Sequence, residues 1–347
     1  MKYSIVIPVF NRPEEADELL DSLTRQEIKD FEVILVEDGS TNCCKDVAEK
    51  YNDVLDIHYH YKKNSGPGPS RNYGVERSHG DYVLILDSDC VIPEGYLTAI
   101  DAELAQEPCD AFGGPDRAHE SFTSIQKAIS YSMTSFFTTG GIRGGKKKLD
   151  KFYPRSFNMG MKREVYQALG GFSKMRFGED IDLSIRIFKG GYKCRLFPEA
   201  WVWHKRRTDL DKFFKQVFNS GIARINLYKK YPESLKLVHL LPMVFTLGVV
   251  SLIVFALILQ FTVKGGIPVG HTTMPWYALP LIPILLYILM LFIDSTIKNK
   301  SAVIGFLSVE AAFVQLFGYG IGFIKAWWQR CVCKKGEFSA FEKNFYD

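Results

Sequence analysis

Short apolar runs alternate with polar, helix-compatible stretches over residues 1–236, whereas residues 237–328 are dominated by long runs almost without charge. Residues 3–8 read as a buried strand, and Pro13 opens a helix that reaches about Gln26. Phe31 to Val36 is a second strand, closed by Glu37-Asp38-Gly39-Ser40-Thr41, and residues 54–60 form a weaker third. The loop Asn64–Ser70 precedes a helix expected from about Ser70 to Ser78; Tyr82–Leu86 is the fourth strand, and Pro93 opens the next helix. Ile181, Ile185 and Phe188 stand at the spacing of one more helix. Repeated strand–helix units with short connections predict an α/β fold. Its mostly parallel sheet carries helices on both faces, with ligands at the strand carboxyl ends.

Polar residues gather at those ends: Asn11 and Arg12 after the first strand, Asp38 after the second, the glycine loop after the third, Asp87 and Asp89 after the fourth. Alternation along the extended chain puts Asp87 and Asp89 on one side of the strand end, with Ser88 facing away. Paired carboxylates suit Mg²⁺ or Mn²⁺, which are held by one or two carboxylates plus substrate phosphates. The loop Gly66-Pro-Gly-Pro-Ser-Arg71 lacks the third glycine of a dinucleotide fingerprint and the Gly-Lys-Ser/Thr of a P-loop. Ser70 is read as a helix cap, and Arg71 behind it suits a diphosphate. Glu179, Asp180 and Asp182 crowd a helix start, where they serve either the helix dipole or general-base chemistry. His204, in Trp201-Val-Trp-His204, is a candidate additional metal or diphosphate ligand, set against the ordinary structural role of such a histidine.

Leu240 to Leu259 is uncharged and long enough to cross a bilayer core of about 30 Å. Membrane helices are expected at about 237–263, 275–293 and 302–324, with Trp276 and Tyr277 at an interface and Asp294 ending the second. The third run, the weakest, holds Glu310, which acts inside the membrane or faces water near its surface. Residues 208–230 place Leu210, Phe213, Val217, Ile222 and Ile225 at helical spacing, as in a helix lying on a membrane or packed on the catalytic domain. The expected organisation is therefore a catalytic domain over 1–207, an interfacial helix and linker over 208–236, membrane helices over 237–328 and a polar tail over 329–347. The catalytic half precedes the first span and has no export signal, so it is expected in the cytoplasm. Three crossings would then put Arg330, Lys334, Lys335 and Lys343 outside, against the positive-inside tendency, unless the third segment is re-entrant.

The net charge of +4 matters less than its clustering at Lys146–Lys148, Lys205–Arg207 and Lys229–Lys230, which favours phosphates or an anionic membrane face. Residues 140–148 read as a basic loop that closes over substrate phosphates, grips a lipid-linked phosphate or is merely solvated. Seven cysteines without paired zinc spacing fit a reduced compartment.

The ordered pieces Ile5-Val-Ile-Pro-Val-Phe-Asn11, Val36-Glu-Asp-Gly-Ser40, Asn64-x-Gly66 and Arg71-Asn-x-Gly74 continue with Asp87-Ser-Asp89, Asn158-Met-Gly160, Gly170-Gly-Phe172 and Gly178-Glu-Asp-Ile-Asp182. Together, over residues 3 to about 224, they resemble family 2 glycosyltransferases of the GT-A nucleotide-sugar-binding fold. The resemblance implies that Pro8, Asn11, Asp38 and Arg71 line the nucleotide pocket, with Asp38 near the base and Glu179 among the donor contacts. It implies further that Asp87 meets ribose or metal, Asp89 holds the divalent ion, and Asp180 is the base of an inverting reaction. The expected protein is a membrane-bound transferase of cell-envelope polysaccharide or glycolipid synthesis at the cytoplasmic (inner) membrane. It would use a nucleotide-sugar donor, a UDP-sugar first, a lipid-linked or glycan hydroxyl acceptor, and Mg²⁺ or Mn²⁺, with membrane lipids but no nucleic acid as partners. A polyprenyl-phosphate glycosyltransferase is the alternative, and a non-catalytic nucleotide-sugar-binding membrane protein the more distant one.

Overall fold

The computed structural model describes residues 1–117, 122–140, 152–175, 177–205, 207–269 and 271–336. After Gly140 the expected basic loop lies outside these residues, as do Lys151, Arg206 and Lys343. The chain divides into two compact units, one containing Met1–Glu120 and Lys147–Lys205, the other Ser121–Lys146 and Arg206–Glu337.

The first unit opens with β1 (Tyr3–Val9), α1 (Pro13–Thr24), β2 (Phe31–Asp38), α2 (Lys45–Lys50), β3 (Ile57–Lys62), α3 (Pro67–Val75) and β4 (Tyr82–Leu86). It continues through β5 (Cys90–Val91), α4 (Tyr96–Gln106), β6 (Ala111–Gly113) and β7 (Asp116–Arg117). Two helices, α5 (Ser124–Thr134) and α6 (Phe136–Thr139), then belong to the second unit. The chain re-enters the first with β8 (Asn158–Lys162), α7 (Arg163–Ala168), α8 (Glu179–Lys189), β9 (Cys194–Leu196) and β10 (Val202–His204).

The main sheet runs β3-β2-β1-β4-β8-β6-β9. β1 is parallel to β2 and β4, with Ile5 opposite Val33 and Leu84; β8 is antiparallel to both β4 and β6. Central parallel strands are covered on both faces and so need near-continuous apolar runs. Alternation divides those runs: Ile5, Ile7, Leu35 and Leu84 enter one core with Leu19 and Ile100. Val6, Ile34, Val83 and Ile85 enter the other with Val75 and Leu183. A small sheet, β5-β10-β7, sets His204 beside Cys90.

Several boundaries differ from the sequence expectation. α3 begins at Pro67, whose fixed φ suits a first helical position. Ser70 lies inside the first turn and donates back to Gly66 O at 2.9 Å, so it is not the cap. β3 starts at Ile57 because Val54 and Leu55 are still bonded to Tyr51 O in the turn after α2. α4 starts at Tyr96, one turn after Pro93. Asp87-Ser88-Asp89 is not extended: Cys90 N–H bonds Asp87 O at 3.0 Å and closes a turn, so strand alternation does not carry both carboxylates.

The second unit adds α9 (Leu210–Lys230), α10 (Leu241–Thr262), a hairpin of β11 (Gly266–Val269) and β12 (Thr272–Pro275), α11 (Ile282–Asn299) and α12 (Ala302–Trp327). Three helical stretches, Leu237–Thr262, Trp276–Asn299 and Ala302–Val332, are long and apolar enough to cross a membrane. Asp294 does not end the second, which runs on to Asn299; its carboxylate bonds Tyr131 and Lys298. The third is the most protein-covered, with 39% buried against 17% and 11%, which accounts for its small residues, Gly305, Ala311, Ala312, Gly318, Gly320 and Gly322 among the buried ones; Glu310 is exposed. Phe213 and Val217 of α9 are buried with Ala128, Ile129, Ile304 and Ala311, so α9 packs this part of its apolar face on α5 and α12.

α3 approaches β1 and β2 closely at Gly74, where a Cβ would meet Val6 Cγ1 and, at 3.1 Å, Val36 Cγ2. Gly74→Ala should destabilise by about 1–3 kcal/mol through overpacking. Thermal unfolding of the detergent-solubilised protein checks this, and an unchanged midpoint would contradict the close approach.

Candidate functional site

The polar residues at the strand ends all lie in the first unit. After β1, Asn11 adopts φ 51°, a left-handed conformation that asparagine tolerates. Its Oδ1 accepts the N–H groups of Thr41 and Asn42, each at 2.9 Å, and its own N–H donates to Ser40 Oγ at 2.8 Å. The loop after β1 is thereby tied to the loop after β2. The next residue, Arg12, places Nη1 2.5 Å from Asp89 Oδ2. Pro8, half-buried, is the β1 residue opposite Val36.

Asp38 is buried at the end of β2 and acts as a staple. Oδ1 accepts from Lys62 Nζ at 2.6 Å and Ser65 N–H at 2.9 Å, and Oδ2 from Gly66 N–H at 2.8 Å. The glycine loop is thus fixed by a carboxylate rather than by its own turn chemistry.

Arg71, buried at the start of the second turn of α3, donates to Asp87 Oδ1 at 2.6 Å and Glu179 Oε1 at 3.0 Å, and its guanidinium lies 5.1 Å from the Phe172 ring centre. Two carboxylates thus share the Arg71 guanidinium. Burial opposes its charge, but Asp87 and Glu179 outweigh burial and raise its pKa.

Glu179 and Asp180 begin α8 and differ sharply. Asp180 Oδ2 accepts from Arg155 Nε at 2.6 Å and Oδ1 from Ile181 N–H at 2.8 Å. Burial alone would raise the Asp180 carboxyl, but Arg155, the Ile181 N–H and Arg71 outweigh it and hold the group below its ordinary range. Glu179 is pushed up to about 7, by burial first and then by the charge on Asp180, against Arg71. Neighbouring carboxyl groups driven apart in this way are suited to different protonation states at neutral pH.

Asp89, 13% exposed at its side chain, has both oxygens engaged, Oδ2 with Arg12 and Oδ1 with His204 Nε2 at 3.2 Å. Burial raises the group, and His204 and Arg12 together hold it well below the carboxylate range. The His204 ring stacks on Phe157 at 4.9 Å. Asp89, Cys90 and His204 each bring a ligand atom within 4.8 Å of the others. Cys90 is a poor ligand, because burial and then the charges of Asp89 and Asp87 push its thiol well above its usual range. Asp89 and His204 do fit: their 3.2 Å separation is near the ~3.0 Å edge between neighbouring ligands at about 2.1 Å from one ion. The carboxylate suits Mg²⁺ or Mn²⁺, with the imidazole as a further nitrogen ligand.

The site thus joins Asp87, Glu179 and Asp180 through Arg71 and Arg155, and Asp89 with His204 through direct contact. Sequence reasoning missed Arg155 and Lys62 and gave Arg12 no partner. The one available signal for Arg155 was its place three residues before Asn158, just ahead of β8. Asn158 itself is structural, accepting from Tyr96 Oη at 2.7 Å and donating to Ala200 O at 2.8 Å.

Residues 4–170 match the family model described as glycosyl transferase family 2. The chain is 31% identical over 245 residues to the uncharacterized glycosyltransferase EpsJ of Bacillus subtilis, covering 65% of this chain and 70% of EpsJ. It is 38% identical over 93 residues to poly(ribitol-phosphate) β-N-acetylglucosaminyltransferase TarS of Staphylococcus aureus, covering 26% of this chain and 16% of TarS. Among solved structures, mannosyltransferase PcManGT of Pyrobaculum calidifontis, in complex with GDP-Man and Mn²⁺, is similar at a TM-score of 0.64 and 16% identity, covering 95% of this chain and 88% of that one. The chain spans only 23%, 13% and 15% of the length of the first curated relatives it matches. The fold is that of a GT-A glycosyltransferase followed by a helical region. The chain belongs to glycosyltransferase family 2.

Arg71→Met would strand Asp87 and Glu179 without their shared cation. A broken buried pair typically costs about 3–5 kcal/mol, read as a lowered unfolding midpoint. Glu179 already titrates high in the folded state, so its ionisation destabilises the fold as pH rises through about 7 and is relieved as pH falls. The deficit of the variant should therefore be large at pH 8 and smaller at pH 5. An equal deficit at both would remove Glu179 from the account.

Proposed function

We propose that the protein transfers one sugar, with inversion, from a nucleotide-sugar donor to a hydroxyl of a lipid-linked or glycan acceptor at a membrane. The observation that carries this reading is the pair of unlike acidic centres at one sheet edge. Asp180 is held ionised by Arg155, and Asp89 is poised beside His204.

On this reading the donor lies across the strand ends. Pro8, Asn11 and Asp38 shape the nucleotide end, and Asp87, Arg71 and Glu179 stand behind the ribose and sugar. Asp89 and His204 would hold a divalent cation, Mn²⁺ before Mg²⁺, with Asp87 as a further contact. Bound there, the cation would neutralise charge on the departing diphosphate. Asp180 then accepts the proton of the acceptor hydroxyl as its oxygen attacks the anomeric carbon from the face opposite the leaving group. Because Asp180 stays ionised at neutral pH, no prior proton loss is needed.

A UDP-sugar is the donor proposed first. TarS, by its name, moves N-acetylglucosamine onto poly(ribitol phosphate), which supports a glycan acceptor over the matched stretch. The three apolar helices support a multi-pass protein of the inner membrane, and the cation clusters support a cytoplasmic catalytic unit. Those helices also favour a second reading, transfer to a polyprenyl phosphate, whose oxyanion needs no base.

Asp180→Asn should lower transfer by about 10²–10⁴-fold while donor affinity changes little. Mass spectrometry of product and calorimetry of donor binding check the two halves. Retained transfer to a phosphate-bearing polyprenol would establish the second reading instead. Chelation should abolish transfer, and Mn²⁺ should restore it better than Mg²⁺; full activity after exhaustive chelation would remove the ion from the reaction.

A further inference from the structure

Arg12 stands where charge on Asp89 would otherwise await a cation. Its Nη1 lies 2.5 Å from Oδ2, and the hydrogen bonds of left-handed Asn11 to Ser40, Thr41 and Asn42 hold the loop that presents it. Oδ1 is left facing His204 Nε2 at 3.2 Å, so an ion joining those two atoms need not displace Arg12. It must instead sit beside a guanidinium. The same balance holds across the site. Arg12, Arg71 and Arg155 meet Asp89, Asp87, Glu179 and Asp180, leaving a single formal negative charge among seven groups. A dication gives up water reluctantly, and a site so nearly neutral offers little to compensate it. A nucleoside diphosphate changes both terms, supplying oxygens to the ion and a charge-assisted partner to Arg12.

We infer that Arg12 is a charge-balancing, positioning residue that makes divalent-cation binding at Asp89 and His204 conditional on the donor diphosphate. Cation and diphosphate bind together, and the cation alone binds weakly. This rests on the reading that the site holds a metal–diphosphate. Linkage requires reciprocity: whatever factor the diphosphate adds to cation affinity, the cation must add to diphosphate affinity.

The test titrates Mn²⁺ into the detergent-solubilised full chain, following free Mn²⁺ by electron paramagnetic resonance, with and without UDP, GDP or dTDP. Calorimetry of nucleotide with and without Mn²⁺ gives the reciprocal arm. For the unaltered protein, nucleotide should tighten Mn²⁺ by on the order of 10-fold or more, a coupling typical of linked sites. Arg12→Gln should tighten Mn²⁺ in the absence of nucleotide by about 10-fold and shrink that ratio, whereas Arg12→Lys, which keeps the charge, should preserve the ratio. The inference is overturned if nucleotide binds without altering Mn²⁺ affinity, or if Arg12→Gln leaves the ratio unchanged. Weaker nucleotide-free Mn²⁺ binding in Arg12→Gln would also overturn it, because Arg12 would then be supporting the ligand. Absence of any nucleotide binding, with or without Mn²⁺, removes the donor-transfer reading and the inference with it.

Discussion

Gathering four carboxylates at one sheet edge, Glu179 and Asp180 of them buried, is tolerable only because three guanidiniums reach them. An isolated ionised carboxylate in that setting would lose several kcal/mol of hydration or take up a proton. Arginine suits the task better than lysine because its planar fork serves two acceptors at once, as Arg71 does for Asp87 and Glu179. The three arginines come from the loop after β1, the second turn of α3 and the approach to β8. The site therefore forms only when segments far apart in sequence have closed on one another. The geometry of this charge cluster and tertiary closure are here the same event.

The parallel strands were legible because central strands must be apolar on both faces, and β1, β2 and β4 are. Their polar ends were legible for the complementary reason that a carboxylate or asparagine directly after such a run has a position in the fold. What could not be read was which charge meets which. Arg71 looked like a free anion contact, yet it is buried between two acids, and Asp38, expected near a nucleotide base, has its oxygens on Lys62 and the backbone of Ser65 and Gly66. Nothing in local spacing announces a pair separated by 77 residues, as Arg12 and Asp89 are. The Asp87–Asp89 turn was misjudged for a different reason. Alternation was extended past the last ladder residue, Leu86, where a backbone hydrogen bond takes over.

The apolar helices were legible by length, but their relative burial was not. α12 seemed the weakest because it carries glycines and polar side chains; its glycines and Ser308 face protein in this unit, whereas Glu310 is exposed. Likewise the apolar stripe of α9 was readable as a stripe, while its partner could be known only from the packing of Phe213 and Val217 beside Ile304 and Ala311.

The glycines of α12 do not share one face. Gly305 abuts Thr296 of α11, Gly318 and Gly322 abut Phe214, Val217 and Phe218 of α9, and Gly320 abuts Pro242 and Thr246 of α10. Turning this helix about its own axis would improve one seam only by driving a side chain into another. α12 is thus keyed like a spline, free neither to spin nor to slide by a turn, and it sets the angular positions of the helices around it.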